Sequence, residues 1–248
     1  MSIVDDLIAT LPSEPIPVRD VCIGVFWTAV SSRACGMAST FTGESAHGKQ
    51  RLRDVGRLHQ KSAQELVSGL RSENPLERSL GLAAFNSLVS VDESQLVELN
   101  AFDLLNQRGV GKKIAVVGHF PHMDRLKGIA RSLWVLEIRP QPGDYPAEAA
   151  EDLIPQADIV AISSSTLINH TLEGLLRLCS PRTLVMLIGP STPLTPLLFE
   201  HGVSHLSGTL IIDEAAALLT IRQGAAYPQV QGTRRVTLSR SEPGLSFG

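Results

Sequence analysis

The chain has 248 residues, 43% hydrophobic and 19% charged, which is enough apolar material for a packed core and argues against intrinsic disorder. Its length sets a prior of one large domain or two small ones. The 22 basic and 25 acidic residues leave a net charge of -3, and aromatics make up only 4%. Neither attraction for polyphosphate nor a stacking platform is encoded, so nucleic acid is excluded as a first partner.

The opening MSIVDDLIATLPSE is acidic and amphipathic, unlike a signal peptide, and runs such as LVMLI (184–188) are too short to span a bilayer. Cys22, Cys35 and Cys179 are sparse, odd in number and lack CxxC spacing, so the expected compartment is a reducing cytoplasm and no cysteine-built zinc site is expected.

Residues 2–11 fit a short helix stopped by Pro12. The stretch 18–30 (VRDVCIGVFWTAV) is rich in β-branched and aromatic residues and reads as one strand, followed by a turn at 31–36 and a returning strand at 37–41. A helix is expected over 62–72. Another is expected from Asn74, a good N-cap, with Pro75 at the first position and Glu77 placed for a capping box. Gly81, Ala83 and Ala84 give it a small-residue face suited to close packing on a sheet. A third helix, AFDLLNQR, falls in the boundary region 91–111. The expected units are therefore 1–95 and 96–248.

From Lys113 onward short apolar runs alternate with amphipathic helices. Strands are predicted at 114–118, 133–138, 158–163, 183–188 and 204–211, with helices near 122–131, 147–154, 168–178, 195–201 and 213–223. This pattern means βαβ crossovers and a doubly wound, Rossmann-like, mainly parallel α/β sheet. The polar, glycine-rich tail QGTRRVTLSRSEPGLSFG is expected to end loosely.

In such a sheet ligands bind outside the carboxyl ends of the strands. The loop GHFPHMDR (118–125) has one glycine where a dinucleotide fingerprint needs GxGxxG, and offers His119 as an acid/base group or a ligand contact, or as a cap for its own loop. Glu137 lies 19 positions after Gly118, where this fold class holds a ribose hydroxyl pair, although pairing with Arg139 is an equally ordinary use. In SSSTLINHT (163–171) four consecutive hydroxyl residues enter a predicted helix start, a cradle for phosphate or carboxylate oxygens, where ordinary capping needs only one. The loop GPSTPLTP (189–196) is either a further oxygen-binding corner or a rigid turn. Asp213 reads as an N-cap and Asp158 as structural. His119 and His122 have HxxH spacing, but i, i+3 pairs work best on a helix, so no permanent metal site is expected. Trp27 reads as core or interface, and Asn86 as a buried tie or a cleft wall. No GxSxG, GKS/T or HExxH is present, which removes the common serine hydrolases, P-loop NTPases and zincins.

VRDVCIGVFWTAV, GLAAFNS, IAVVGHFP, VLEIRPQPGDYP, ADIVAISSSTLINHTLEGLL and LIGPSTPL, in this order, resemble the heavy-metal chelation family over roughly 5–225. The resemblance implies an α+β domain similar to the enolase N-terminal domain, then the Rossmann-like domain, with a site in the cleft between them. Matching positions are Thr28, Asn86, Gly118, His119, Phe120, Pro121, Glu137, Ser165, Thr166, Asn169, Thr171, Gly189, Pro190, Ser191 and Thr192. AISSST departs from the threonine–glycine step expected of relatives. The resemblance implies handling of a small pterin, flavin or siderophore-like chelator; binding alone and binding followed by condensation or hydrolysis both stay open, with His119 as the catalytic acid/base or orienting group in the second case. Two alternatives stay open: a non-enzymatic carrier of a chelated metal, and a methyltransferase-like protein binding S-adenosylmethionine with Glu137 on the ribose. The residues name no cofactor, and a homodimer is the default oligomer.

Overall fold

In a computed structural model, residues 2–42, 51–120 and 123–240 are described. Helix α1 (Ile3–Ala9) starts at Ser2, whose hydroxyl accepts from the Asp5 amide while the Asp5 carboxylate accepts from the Ser2 amide. The segment 18–30, read from sequence as one strand, is a hairpin. Strand β1 (Asp20–Ile23) turns at 24–26 into β2 (Trp27–Ser31), and β3 (Cys35–Ser39) completes an antiparallel sheet in the order β1-β2-β3. The cause lies outside the local sequence. A Cβ at Gly24 would lie 2.6 Å from the Ile221 carbonyl oxygen, so the turn forms where a distant helix presses on the chain.

Helix α2 (Ala63–Val67) runs into a 3-10 turn at Ser68–Arg71, and α3 (Pro75–Leu88) follows. The Asn74 side chain accepts from the Leu76 amide, as expected of an N-cap. Glu77 makes no capping box. Its buried carboxylate accepts two bonds from Arg53, at 2.8 and 3.0 Å, and one from the Ser72 hydroxyl at 2.5 Å. The small-residue face also divides its work. Gly81 packs on the 3-10 turn, where a Cβ would meet the Leu70 nitrogen at 2.7 Å. The sheet contact is made through Gly36, 2.3 Å by the same measure from the Ala83 carbonyl oxygen.

The second part of the chain contains β4 (Leu96–Val97), α4 (Ala101–Arg108), β5 (Lys113–Val117), α5 (Met123–Ile129), β6 (Ser132–Glu137), β7 (Tyr145–Pro146), α6 (Ala150–Leu153), β8 (Ile159–Ser163), α7 (Leu172–Leu178), β9 (Leu184–Ile188), α8 (Leu197–Glu200), β10 (His205–Ile211), α9 (Glu214–Arg222) and β11 (Thr233–Ser239). One eight-stranded sheet has the order β4-β11-β10-β9-β8-β5-β6-β7, parallel from β10 to β7. Strands β5, β8 and β9 are buried along most of their length, as expected of a parallel sheet covered on both faces. Part of the tail is a strand that its composition does not announce. TRRVTLS is strand β11, antiparallel to β10 across seven residue pairs, because Val236 and Leu238 supply alternate buried positions that the neighbouring arginines mask in composition. Its final residues, 241–248, lie outside the described ones. Asp213 caps α9 by accepting from the Ala216 amide, and Asp158 accepts from the Lys113 amide, a structural use.

The two sheets are joined through helices. On one face of the small sheet, Val30 and Ala38 pack with Ala83 and Phe85 of α3. On the other, Cys22, Ala29 and Met37 pack with Ala217, Leu218 and Ile221 of α9. Glu214 at the start of α9 accepts from Arg19 at 2.6 Å and from the Ser31 hydroxyl at 2.5 Å, and Arg222 pairs with Asp20. The Trp27 ring meets the Tyr227 ring at 5.6 Å, tilted by 56°, so it serves the junction of the two parts. No helix among the described residues is long and apolar enough to cross a membrane.

Candidate functional site

From β5 the chain proceeds to β6 on one side, while β8 pairs with β5 on the other. The connection order reverses between β5 and β8, and their carboxyl ends flank the crevice that such a switch point creates. Gly118 closes β5 with φ +103°, and a Cβ there would lie 3.0 Å from the Ser163 Cβ. Glycine therefore lets the two strand ends approach while the chain turns away. A cleft of about 720 Å³ opens here, within the range of small-molecule sites.

Of the residues singled out from sequence, Gly118, His119, Glu137, Ser165, Thr166, Asn169 and Thr171 line this cleft. One wall is rich in hydroxyls. Ser163 and Ser165 share a hydrogen bond at 2.9 Å, Thr166 donates to the Ser163 carbonyl at 2.7 Å, and the Asn169 carbonyl oxygen accepts from both the hydroxyl and the amide of Thr171. The backbone differs from the expected helix start. Residues Ser164–Leu167 form a 3-10 turn, His170 adopts φ +62°, and α7 begins only at Leu172. The wall thus offers side-chain oxygens and not a helix dipole.

The opposite corner is acidic. His119 Nδ1 lies 3.5 Å from Glu137 Oε1 and 3.4 Å from Asp144 Oδ2. The Asp144 side chain is only 8% exposed, and its Oδ2 also accepts from the Gln141 amide at 2.8 Å. Sequence reasoning missed Asp144. The signal available was the PGD turn, in which Gly143, at φ +99°, brings the chain back toward the end of β6. It also missed Thr40, Phe41 and Thr42, which the small sheet contributes to the cleft.

The remaining predicted positions lie elsewhere. Thr28 is fully buried and shares a hydrogen bond with Thr40 at 2.9 Å, supporting the cleft from behind. Asn86 is a tie: its Nδ2 donates to the carbonyls of Met37 and Ser191, at 3.0 and 3.1 Å. Ser191 is buried and its hydroxyl accepts from the Ser39 amide at 2.8 Å, while Thr192 donates to the Gly189 carbonyl at 2.7 Å. Gly189 has φ +134°, and a Cβ there would lie 2.6 Å from Ser164 Oγ. Pro190 is half-buried in the same turn. The loop 189–192 is the rigid turn of the two readings, and it locks β3 onto the large sheet. Phe120 is not among the cleft-lining residues and packs edge-on against Phe102 at 5.4 Å. Pro121 and His122, and with them the HxxH pair, lie outside the described residues.

A mainly parallel sheet with a polar crevice at its switch point, and a small antiparallel sheet packed against it through helices, defines a two-part α/β protein with a cleft at that switch point. The chain belongs to the family described as "Putative heavy-metal chelation": one model of that description matches residues 4–89 and a second matches residues 100–240. It is similar to an uncharacterized protein of Methanocaldococcus jannaschii, 31% identical over 211 residues, which cover 82% of this chain and 80% of the relative. A crystal structure of a DUF364-family protein of unknown function from Desulfitobacterium hafniense is similar at a TM-score of 0.85 and 29% identity, over 96% of this chain and 98% of that one. Another, from Pyrococcus horikoshii, shares the fold at a TM-score of 0.82 and 22% identity, with the same coverages.

The described residues do not fit a bare heavy-metal ion. Soft metals favour thiolates. Cys22 and Cys35 are buried in the small sheet, and Cys179 is not among the cleft-lining residues, its thiol donating to the Leu175 carbonyl. Burial pushes the Cys35 thiol up to about 12 and the Cys179 thiol up to about 11, and raises Cys22 as well, so all three stay protonated. Among the described residues, no group of three or more His, Cys, Asp and Glu side chains is disposed to hold a metal.

Proposed function

We propose that the cleft binds a small polar organic molecule with oxygen and nitrogen donors, a chelator of the pterin, flavin or siderophore-like class, and that the metal role of the family reaches this protein through that molecule. The observation that carries this reading is the pairing of a hydroxyl wall with an acidic corner across one crevice at the switch point. Hydroxyls give and accept hydrogen bonds, so they suit catechol, hydroxamate or pterin oxygens and carbonyls. The Glu137 carboxylate suits an amine or a ring N–H at the other end. His119 is the side chain best suited to move a proton if the bound molecule is condensed or hydrolysed.

The test uses protein purified from cells, with native mass spectrometry for carried-over ligand and thermal shift against a panel of catecholate, hydroxamate, pterin and flavin compounds. The expected result is one class that stabilises the protein, with the stabilisation reduced in Glu137→Gln and in Ser165→Ala. No carried-over ligand together with no stabilisation by any class contradicts the reading. Turnover of the bound compound, abolished in His119→Ala, separates an enzyme from a carrier.

A further inference from the structure

We infer that Asp144, together with Glu137, is a positioning group that holds His119 as its Nδ1–H tautomer, leaving the Nε2 lone pair for a metal whose other donors belong to a bound chelator. The inference rests on the cleft reading above and deepens it by stating the form in which the ligand arrives.

The geometry begins at the ring. Nδ1 faces one oxygen from each of two carboxylates, at 3.5 and 3.4 Å. A lone pair on Nδ1 would point at negative charge, whereas a proton there is attracted to both oxygens. A neutral imidazole carries one N–H and one lone pair, so a proton on Nδ1 leaves the lone pair on Nε2. The carboxylates are themselves held in place. Asp144 is nearly buried and accepts from the Gln141 amide, and Glu137 ends β6 with its Oε2 accepting from the Ile138 amide at 3.2 Å. A carboxylate behind the far nitrogen is the arrangement that orients metal-binding imidazoles and strengthens them as ligands.

One nitrogen does not make a metal site, since self-contained sites take three or four protein ligands. No such group exists among the described residues; Cys22 and Cys35 are buried, Cys179 is half-buried, and burial raises all three thiols above their ordinary value. A metal already held by an organic chelator needs far less, namely one donor for one open coordination position. A cleft of about 720 Å³ has room for such a complex. The hydroxyl wall would then meet the oxygens of the chelator while His119 meets its metal.

Two readouts test this on the full chain. Long-range proton–nitrogen NMR correlations on histidine-labelled protein, recorded above the imidazole pKa, report the tautomer without any ligand. The expected wild-type result is Nδ1–H at His119, moving toward Nε2–H in the double variant Asp144→Asn, Glu137→Gln; the same spectra show whether the fold is intact. Titration with copper(II)–iminodiacetate, a chelate with open positions, is expected to reveal one binding event tighter than those at the other histidines. It should be lost in His119→Gln and weakened about tenfold or more in Asp144→Asn. Nε2–H in the wild type overturns the inference, and so does equal chelate affinity in wild type and Asp144→Asn. If metal-free organic chelators bind the cleft while copper–iminodiacetate ignores His119, the inference falls and the cleft reading stands. If neither binds, both fall.

Discussion

The loop after β8 and the turn after β9 carry similar sequences at the same edge of the same sheet, SSST in one and GPST in the other. In the first, Ser163, Ser165 and Thr171 line an open cleft. In the second, Ser191 and Thr192 are buried and spend their hydrogen bonds on Ser39 and Gly189, and the turn is held by Asn86 from the small sheet's supporting helix. The difference is distance from the switch point. β8 borders β5, where the connections diverge and leave a crevice, whereas β9 lies one strand further on, where the small sheet closes over the edge. A hydroxyl at a strand end is available to a ligand only where nothing else covers that end.

Substitutions sharpen this contrast. The largest effect is expected at Gly189, where alanine combines a backbone angle at φ +134° with a contact at 2.6 Å from Ser164 Oγ. A loss of about 2–3 kcal/mol in urea unfolding follows from such strain. Asn86→Ala strips the donor from two carbonyls that join β3 to the β9 turn, and should cost about 1–3 kcal/mol by the same measurement. Ser165→Ala should leave stability within about 0.5 kcal/mol and weaken ligand binding several-fold, while Ser191→Ala should do the reverse. If Ser191→Ala weakened binding as much as Ser165→Ala, the division between open wall and structural tie would be broken.

The smallest effect concerns pH and the opposite end of the small unit. Hydrogen bonds from Arg53, then from Ser72, hold the Glu77 carboxyl below its ordinary value of 4.5 despite the opposing effect of burial. A carboxyl with a lowered folded pKa adds stability above its unfolded pKa, and that stability is lost as pH falls through the folded value. Urea midpoints should therefore decline as pH drops below about 4.5, and Glu77→Gln should be less stable at neutral pH with a shallower decline in acid. An identical acid profile in the variant would show that Arg53 does not hold this carboxylate.

The large sheet was legible because β5, β8 and β9 are nearly continuous apolar runs, a pattern that burial on both faces imposes, and helical segments separate them from their neighbours. The hairpin at Gly24 was not, because its turn answers to Ile221, nearly two hundred residues away. Strand β11 was hidden by its arginines, two of which make surface contacts: Arg234 pairs with Glu93, and Arg235 lies over the Tyr227 ring at 4.9 Å. At the candidate site, strand-end position singled out His119, Glu137 and residues of the 163–171 segment, which line one cleft. It did not reveal Asp144, whose turn brings it back only in three dimensions, nor that Phe120 packs against Phe102. Local composition reports which groups are available. Which of them stay uncovered is decided by the packing of the small sheet against the large one.

The most direct measurement is a crystal structure of protein carrying the ligand identified by native mass spectrometry. The account predicts density in the crevice between the ends of β5 and β8, reaching from Glu137 to Ser165 and bordered by Thr42. Density against the 189–192 turn instead, or a ligand that leaves this crevice empty, would contradict it.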